Sequence, residues 1–294
     1  MSFFGIEPAE KYLMVMQFFL LLFLVISGFQ SLEAAVVECI ETAQRIASLR
    51  DSLENASDHS FFMDRGLVTR SLGNNTSFKT LLKPESVSEL FELGSDQRWL
   101  NVGGGALQAE ADMIAKKGDE SPQIVSINIH KLDPAYVWPK SIQGFMKEPR
   151  KFVRQKLVVL DQTYIEKVDP EDIGKFHAIT DVLSSVAYSP HLDFVLYQFG
   201  QLAEANAKIY ISGFNPNFPN RRLRDAWLEK IRGFKILEDN KDQKGVRLIL
   251  QRTSEHMYVP TLRILDVQVG KPPVFRFVEY ENQDGPIPTM YVGH

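Results

Sequence analysis

The chain has 294 residues, 44% hydrophobic and 24% charged, which supplies a sizeable core and excludes a disordered or fibrous reading. A net charge of -4 leaves no basic footprint for a phosphate backbone, so no nucleic acid partner is expected. Cys39 is the only cysteine, which excludes an intramolecular disulfide, a CxxC redox pair and an all-cysteine metal centre.

The first predicted element is Tyr12 to Phe29, an uncharged run rich in Leu, Phe, Val and Met. Its length lies at the lower edge of the roughly 17 to 25 residues that span a bilayer, and small residues around Ala34 offer a cleavage point. Signal peptide and membrane anchor both fit, and any membrane contact would run through residues 12–29. Lys11 precedes the run, whereas Glu33, Glu38 and Glu41 follow it, which favours an exported or membrane-anchored placement of the remainder. If the run is instead a buried core helix, the chain is cytoplasmic. Asn55-Ala56-Ser57, Asn74-Asn75-Thr76 and Asn75-Thr76-Ser77 are formal glycosylation triplets that matter only on a eukaryotic secretory route.

Ala34 to Leu53 repeats apolar residues at helical spacing (Val37, Ile40, Ala43, Ile46, Leu49), and Pro84 to Phe91 reads as a short helix after a polar connector. Alternation then becomes regular. Five apolar runs, Arg98–Val102, Gln123–Ile129, Lys156–Leu160, His177–Val182 and Lys208–Ser212, are separated by helical or turn segments at Leu107–Lys117, Pro170–Gly174 and His191–Ala205. Strands alternating with helices predict an α/β fold with a mostly parallel sheet covered on both faces. A helix over Asn220–Arg232 leads to Phe234–Leu237 and Val246–Gln251, joined by a connection too short for a crossover, so the last strand runs antiparallel. Leu262–Val269 and Val274–Tyr280 read as two more strands around Gly270-Lys271-Pro272-Pro273. The predicted organisation is a leader or anchor over 1–34, a helical extension over 35–96, the α/β domain over 97–253 and a β extension over 254–294.

At the end of the first strand stands Asn101-Val102-Gly103-Gly104-Gly105-Ala106, directly before a helix. Glycines here allow a tight turn and close approach to the backbone, and the helix start offers free N–H groups to an anion. Dinucleotide binding fits less well, because Gln108 stands where G-x-G-x-x-G needs its third glycine.

In motif and element order, Gln97 to Thr253 resembles the class I S-adenosyl-L-methionine (SAM) dependent methyltransferase family, whose fold is a Rossmann-like sheet with an antiparallel last strand. The resemblance implies SAM as small-molecule cofactor and leaves the substrate unnamed. It implies that Gly103, Gly104 and Gly105 hold the methionine part of SAM and that Asn101 stands at a commonly acidic position two residues ahead. Asn128 falls where an acid usually accepts from both ribose hydroxyls, and Asp161 falls at the position that meets the adenine. Asp181 belongs to the fourth-strand motif, and Ser184, Ser185 and Tyr188 edge the methyl-transfer pocket. Both asparagines remove negative charge, and a bond to an ionised acceptor contributes roughly 1.5 to 3 kcal/mol against about 1 for a neutral one. A catalytically inactive binding module outside the cytoplasm is therefore the alternative to a methyltransferase, and aminopropyl transfer from a decarboxylated cofactor is a third.

The remaining features have plain structural readings. His130 and Asp133 read as a solvated loop, Asp181 as an equally good cap for the next turn, and His177 and His191 as structural histidines. The basic runs Lys147–Lys156 and Arg221–Arg232 read as solvated faces, and nothing suggests a metal.

Overall fold

A computed structural model describes residues 77–105, 107–128, 156–213, 218, 220–240, 247–268 and 274–279. The apolar run 12–29, Cys39, the helix expected over Ala34–Leu53, the glycosylation triplets, His130 and Asp133 lie outside them. Among the described residues no helix is long and apolar enough to cross a membrane.

In chain order the elements are α1 (Ser77–Leu82), α2 (Pro84–Glu92), β1 (Arg98–Val102), α3 (Gln108–Lys117), β2 (Gln123–Ile127), β3 (Leu157–Leu160), α4 (Pro170–Ile173), β4 (Phe176–Val182), α5 (Ser185–Tyr188), α6 (Leu192–Leu202), β5 (Ala203–Ser212), α7 (Arg221–Lys230), β6 (Phe234–Asn240), β7 (Arg247–Arg252), β8 (Leu262–Gln268) and β9 (Val274–Glu279). One seven-stranded sheet has the order β3-β2-β1-β4-β5-β7-β6, and β8 and β9 form a separate hairpin. β1 to β5 pair in parallel, and β7 runs antiparallel to both β5 and β6. The fold is the mostly parallel Rossmann-like α/β sheet that the resemblance implied. Its antiparallel strand inserts between β5 and β6, so β6 forms the edge.

Strand alternation sorts the core into two layers, because successive side chains point to opposite faces. Trp99, Ile124, Ala178 and Tyr210 point to the layer closed by Phe78, Leu82 and Leu90 of α1 and α2 and by Met113 and Ile114 of α3. Leu100, Val125, Ile179 and Ile209 point to the opposite layer, closed by α6, by Trp227 and Leu228 of α7 and by Phe277 of β9. α6 is apolar on nearly all sides and buried along most of its length, as expected of a helix covered by both sheet and hairpin. The hairpin is fastened by the buried Asp193 carboxylate, whose Oδ2 accepts the Leu262 N–H at 3.1 Å, while Trp227 Nε1 donates to Pro260 O at 2.9 Å. β9 also contacts α5.

Several boundaries differ from the sequence reading. The helix expected over His191–Ala205 stops at Leu202, and the strand expected from Lys208 begins at Ala203. Ala203, Ala205 and Ala207 alternate with polar residues, and that period of two outweighs alanine's helix propensity. The alternation is broken by Asn206 at φ 64°, where the register with β4 shifts. A helical turn, α5, carries Ser185 and Tyr188 of the expected pocket edge. Arg224 is no solvated residue, being 2% exposed and bonded to Asp225 and Asp239. His177 is structural, its Nδ1 accepting the Arg98 N–H at 3.2 Å.

Candidate functional site

In an open α/β sheet a crevice forms beyond the strand C-termini where successive connections diverge. Here β2 and β3 extend the sheet on one side of β1, while β4 and β5 extend it on the other. The turns after β1 and β4 start side by side, with Val102 paired to Asp181.

The turn after β1 is bent by Gly103 at φ 71° and Gly105 at φ 57° and closed by the Leu107 N–H, which donates to Gly104 O at 3.1 Å. Leu107 itself has φ 58°. Gln162 after β3 (φ 52°) and Leu183 after β4 (φ 49°) also lie in the left-handed region. Side chains avoid that region, so its use at three turns on one sheet edge marks backbone strain gathered there.

Beneath the glycine turn lies a buried polar chain drawn from β4, β1, α3 and β2. Trp99 Nε1 donates to Thr180 Oγ1 at 2.9 Å, and Thr180 Oγ1 donates to Asn101 Oδ1 at 2.8 Å. Asn101 Nδ2 donates to Glu110 Oε1 at 2.7 Å, and Ser126 Oγ donates to the same oxygen at 2.6 Å. Asn128 Nδ2 faces Ser126 Oγ at 3.4 Å. Two donors of the chain, Asn101 Nδ2 and Ser126 Oγ, thus converge on one oxygen of Glu110. Glu110 is 0% exposed, and its Oε2 has no hydrogen-bond partner among the described residues. Burial pushes its carboxyl above the ordinary value, against the hydrogen bonds from Ser126 and Asn101.

Gly104 sits directly on this chain. A Cβ there would meet Ser126 Oγ at 2.2 Å and Glu110 Oε1 at 2.5 Å. Its missing side chain makes room for the protein's own polar groups, a reason for glycine that the sequence reading did not foresee.

The sequence-predicted residues separate into buried and accessible ones. Asn101 is buried with both amide atoms bonded within the chain. Asp181 is 0% exposed, and its two oxygens accept the Ser184 N–H at 3.1 Å and the Val186 N–H at 3.2 Å, the geometry of a cap on α5. Asn128 is 2% exposed at the end of β2, with its backbone tied to Leu160 and Thr163 and its Oδ1 without a hydrogen bond among the described residues. The Asp161 side chain is exposed beyond β3. Ser184 and Ser185 are half-buried at the start of α5, and the Tyr188 side chain lies outside the described set. Gly103, Gly104, Gly105, Asn128, Asp161 and Asp181 all fall at the C-terminal edge of adjacent strands.

Glu110 escaped the sequence reading although a signal existed. It is an acid three residues after Leu107 and four before Ile114, on the apolar stripe of α3. Behind the same edge, Ser189 Oγ donates to Glu166 Oε1 at 2.6 Å and joins the segments after β3 and β4. Burial and the neighbouring Glu166 push the Tyr164 hydroxyl up to about 12. A cavity of about 240 Å³ opens elsewhere, between α7 and the β6–β7 edge, lined by Leu228, Ile231, Phe234, Ile236 and Leu250. Apart from Glu229 its lining is apolar, and the converging polar groups identify the candidate site better than that volume does. Among the described residues no cluster of potential ligands could hold a metal.

No family model and no curated protein matches the chain. Solved structures match with modest scores. An O-methyltransferase family protein from Burkholderia thailandensis superposes with TM-score 0.34 at 12% identity, over 60% of this chain and 58% of that one. An rRNA methylase from Streptococcus thermophilus gives TM-score 0.38 at 11% identity over 58% and 95%. A protein described as a hemolysin from Lactococcus lactis gives 0.36 at 13% over 61% and 91%. The chain thus spans less than two thirds of the O-methyltransferase.

Proposed function

We propose that the C-terminal edge of the sheet binds SAM and that the chain is a SAM-dependent methyltransferase acting on a substrate the site does not name. The observation that carries this reading is the glycine turn at the β1–β4 divergence, flanked by the Asn128 amide at the end of β2 and the exposed carboxylate of Asp161. The donor set fits such a group: Asn128 offers an acceptor for ribose hydroxyls, and Asp161 offers one for the adenine amino group. Bound SAM would supply an electrophilic methyl, and the protein's part would be to orient the partner and exclude water. No dedicated acid or base is required for that, so a fully buried Asp181 committed to capping is no obstacle.

The second reading is a binding module without turnover. It is favoured by Asn101, whose amide is consumed by the buried chain and brings no charge to the edge. Titration calorimetry of SAM and S-adenosylhomocysteine into the full chain tests the first reading, with Asp161→Ala as control because an exposed side chain can be removed without damage to the core. Saturable micromolar binding, weakened about tenfold in the control, supports the cofactor site. Absence of binding by folded wild type rejects it in favour of the module.

The uncharged run 12–29 supports an exported or membrane-anchored placement. Carbonate extraction of membranes from expressing cells tests it: retention supports an anchor, processing near Ala34 supports a cleaved leader, and an unprocessed soluble chain rejects both.

A further inference from the structure

We propose that Glu110 is a positioning residue of this site: acting through Ser126, it orients the Asn128 amide so that its oxygen faces outward to accept a vicinal hydroxyl pair of a bound nucleoside. The inference rests on the cofactor reading above and adds to it a residue that touches no ligand.

Ser126 has one hydroxyl proton, and at 2.6 Å from Glu110 Oε1 that proton is committed to the carboxyl. Toward Asn128, Ser126 Oγ therefore offers only lone pairs. An amide beside it must present its NH2, as Asn128 does at 3.4 Å, because the flipped amide would set lone pairs against lone pairs. With the NH2 turned to Ser126, Oδ1 is the amide atom left for a further partner, and it makes no hydrogen bond among the described residues. Glu110 is held in place for this task. Asn101 Nδ2 binds the same oxygen at 2.7 Å, the Thr180 hydroxyl fixes Asn101 from behind, and Gly104 leaves room for the carboxyl. Asn101 and Asn128, the two positions where the sequence lacks an expected acid, are thus both wired to one buried carboxyl.

The test compares S-adenosylhomocysteine with its 2′-deoxy counterpart by titration calorimetry on the full chain. Wild type is expected to prefer the hydroxyl-bearing ligand by about fivefold to tenfold, the contribution of one neutral hydrogen bond. Glu110→Ala and Ser126→Ala each should bring that preference close to unity, the hydroxyl-bearing ligand losing more affinity than the deoxy ligand. Glu110→Gln, whose oxygen still accepts from Ser126, should restore the preference. Equal weakening of both ligands, or a preference that survives in Ser126→Ala, overturns the inference while the cofactor site stands. If Glu110→Ala does not fold, Ser126→Ala decides alone. Failure of wild type to bind either ligand overturns the cofactor reading and this inference with it.

Discussion

Between β1, β2 and α3 the interior is polar: Glu110, Asn101, Ser126 and Thr180 are all buried and bonded to one another beneath a glycine turn. Between β6, β7 and α7 it is apolar, with Leu228, Ile231, Phe234 and Leu250 around a cavity and the Arg224–Asp239 ion pair at its margin. Both corners belong to one sheet, yet they respond to change by different rules. Apolar side chains pack without directional constraint, so the second corner loses stability in proportion to the volume removed. In the first corner each group depends on a specific partner, and removing one strands the others. A fold that needed only stability could fill that space with apolar side chains at no loss, so the polar corner is where a role beyond packing is to be sought.

The sharpest way to break the contrast is Gly104→Ala. The new Cβ would displace both Ser126 Oγ and Glu110 Oε1, and a loss of about 4 kcal/mol is expected from chemical denaturation, with nucleoside binding abolished. Glu110→Ala should cost about 3 kcal/mol by the same measurement, because the Asn101 NH2 and the Ser126 hydroxyl lose their shared acceptor. In the other corner Leu228→Ala should cost about 2 kcal/mol and leave nucleoside affinity unchanged, since the vacancy only enlarges an existing cavity. An equal effect of Leu228→Ala on binding would erase the distinction between the corners.

The smallest effect is on pH dependence. Burial raises the Glu110 carboxyl in the folded state, so the fold holds this proton more tightly than the unfolded chain does. Its contribution is full below the ordinary glutamate value of about 4.3 and is lost as pH rises through the raised value. Glu89 behaves in the opposite sense. Burial opposes its ionisation, but hydrogen bonds from Tyr210 and Lys208 outweigh that and hold it below its ordinary value, so its contribution is lost on acidification. Denaturation midpoints taken from about pH 5 to about pH 8 should therefore fall more steeply in wild type than in Glu110→Gln. Parallel curves would show that Glu110 does not titrate in that window.

Much of the fold was legible in the sequence. β1 and β4 are mostly apolar and buried almost throughout, as in strands covered on both faces, and the short connection before Arg247 announced an antiparallel return. α1 and α5 were missed because each is a turn or two of helix held by packing, too short for periodicity to register. At the candidate site the glycine turn was legible, whereas Glu110 showed only as an acid on an apolar stripe, and its partners were set by the strands that lie opposite.

What the sequence determined by itself is whatever depends on neighbours along the chain: the strand and helix order, the hairpin direction and the glycine turn at the end of β1. Tertiary structure alone decided that β7 slots between β5 and β6, and that Thr180 meets Asn101 across 79 positions of chain. It also turned Asn101 and Asp181 inward and set the Asn128 amide nitrogen against Ser126. The physical reason is that hydrogen bonds within a turn follow from local backbone geometry, whereas the partner of a buried polar side chain is set by which faces of distant elements come into contact.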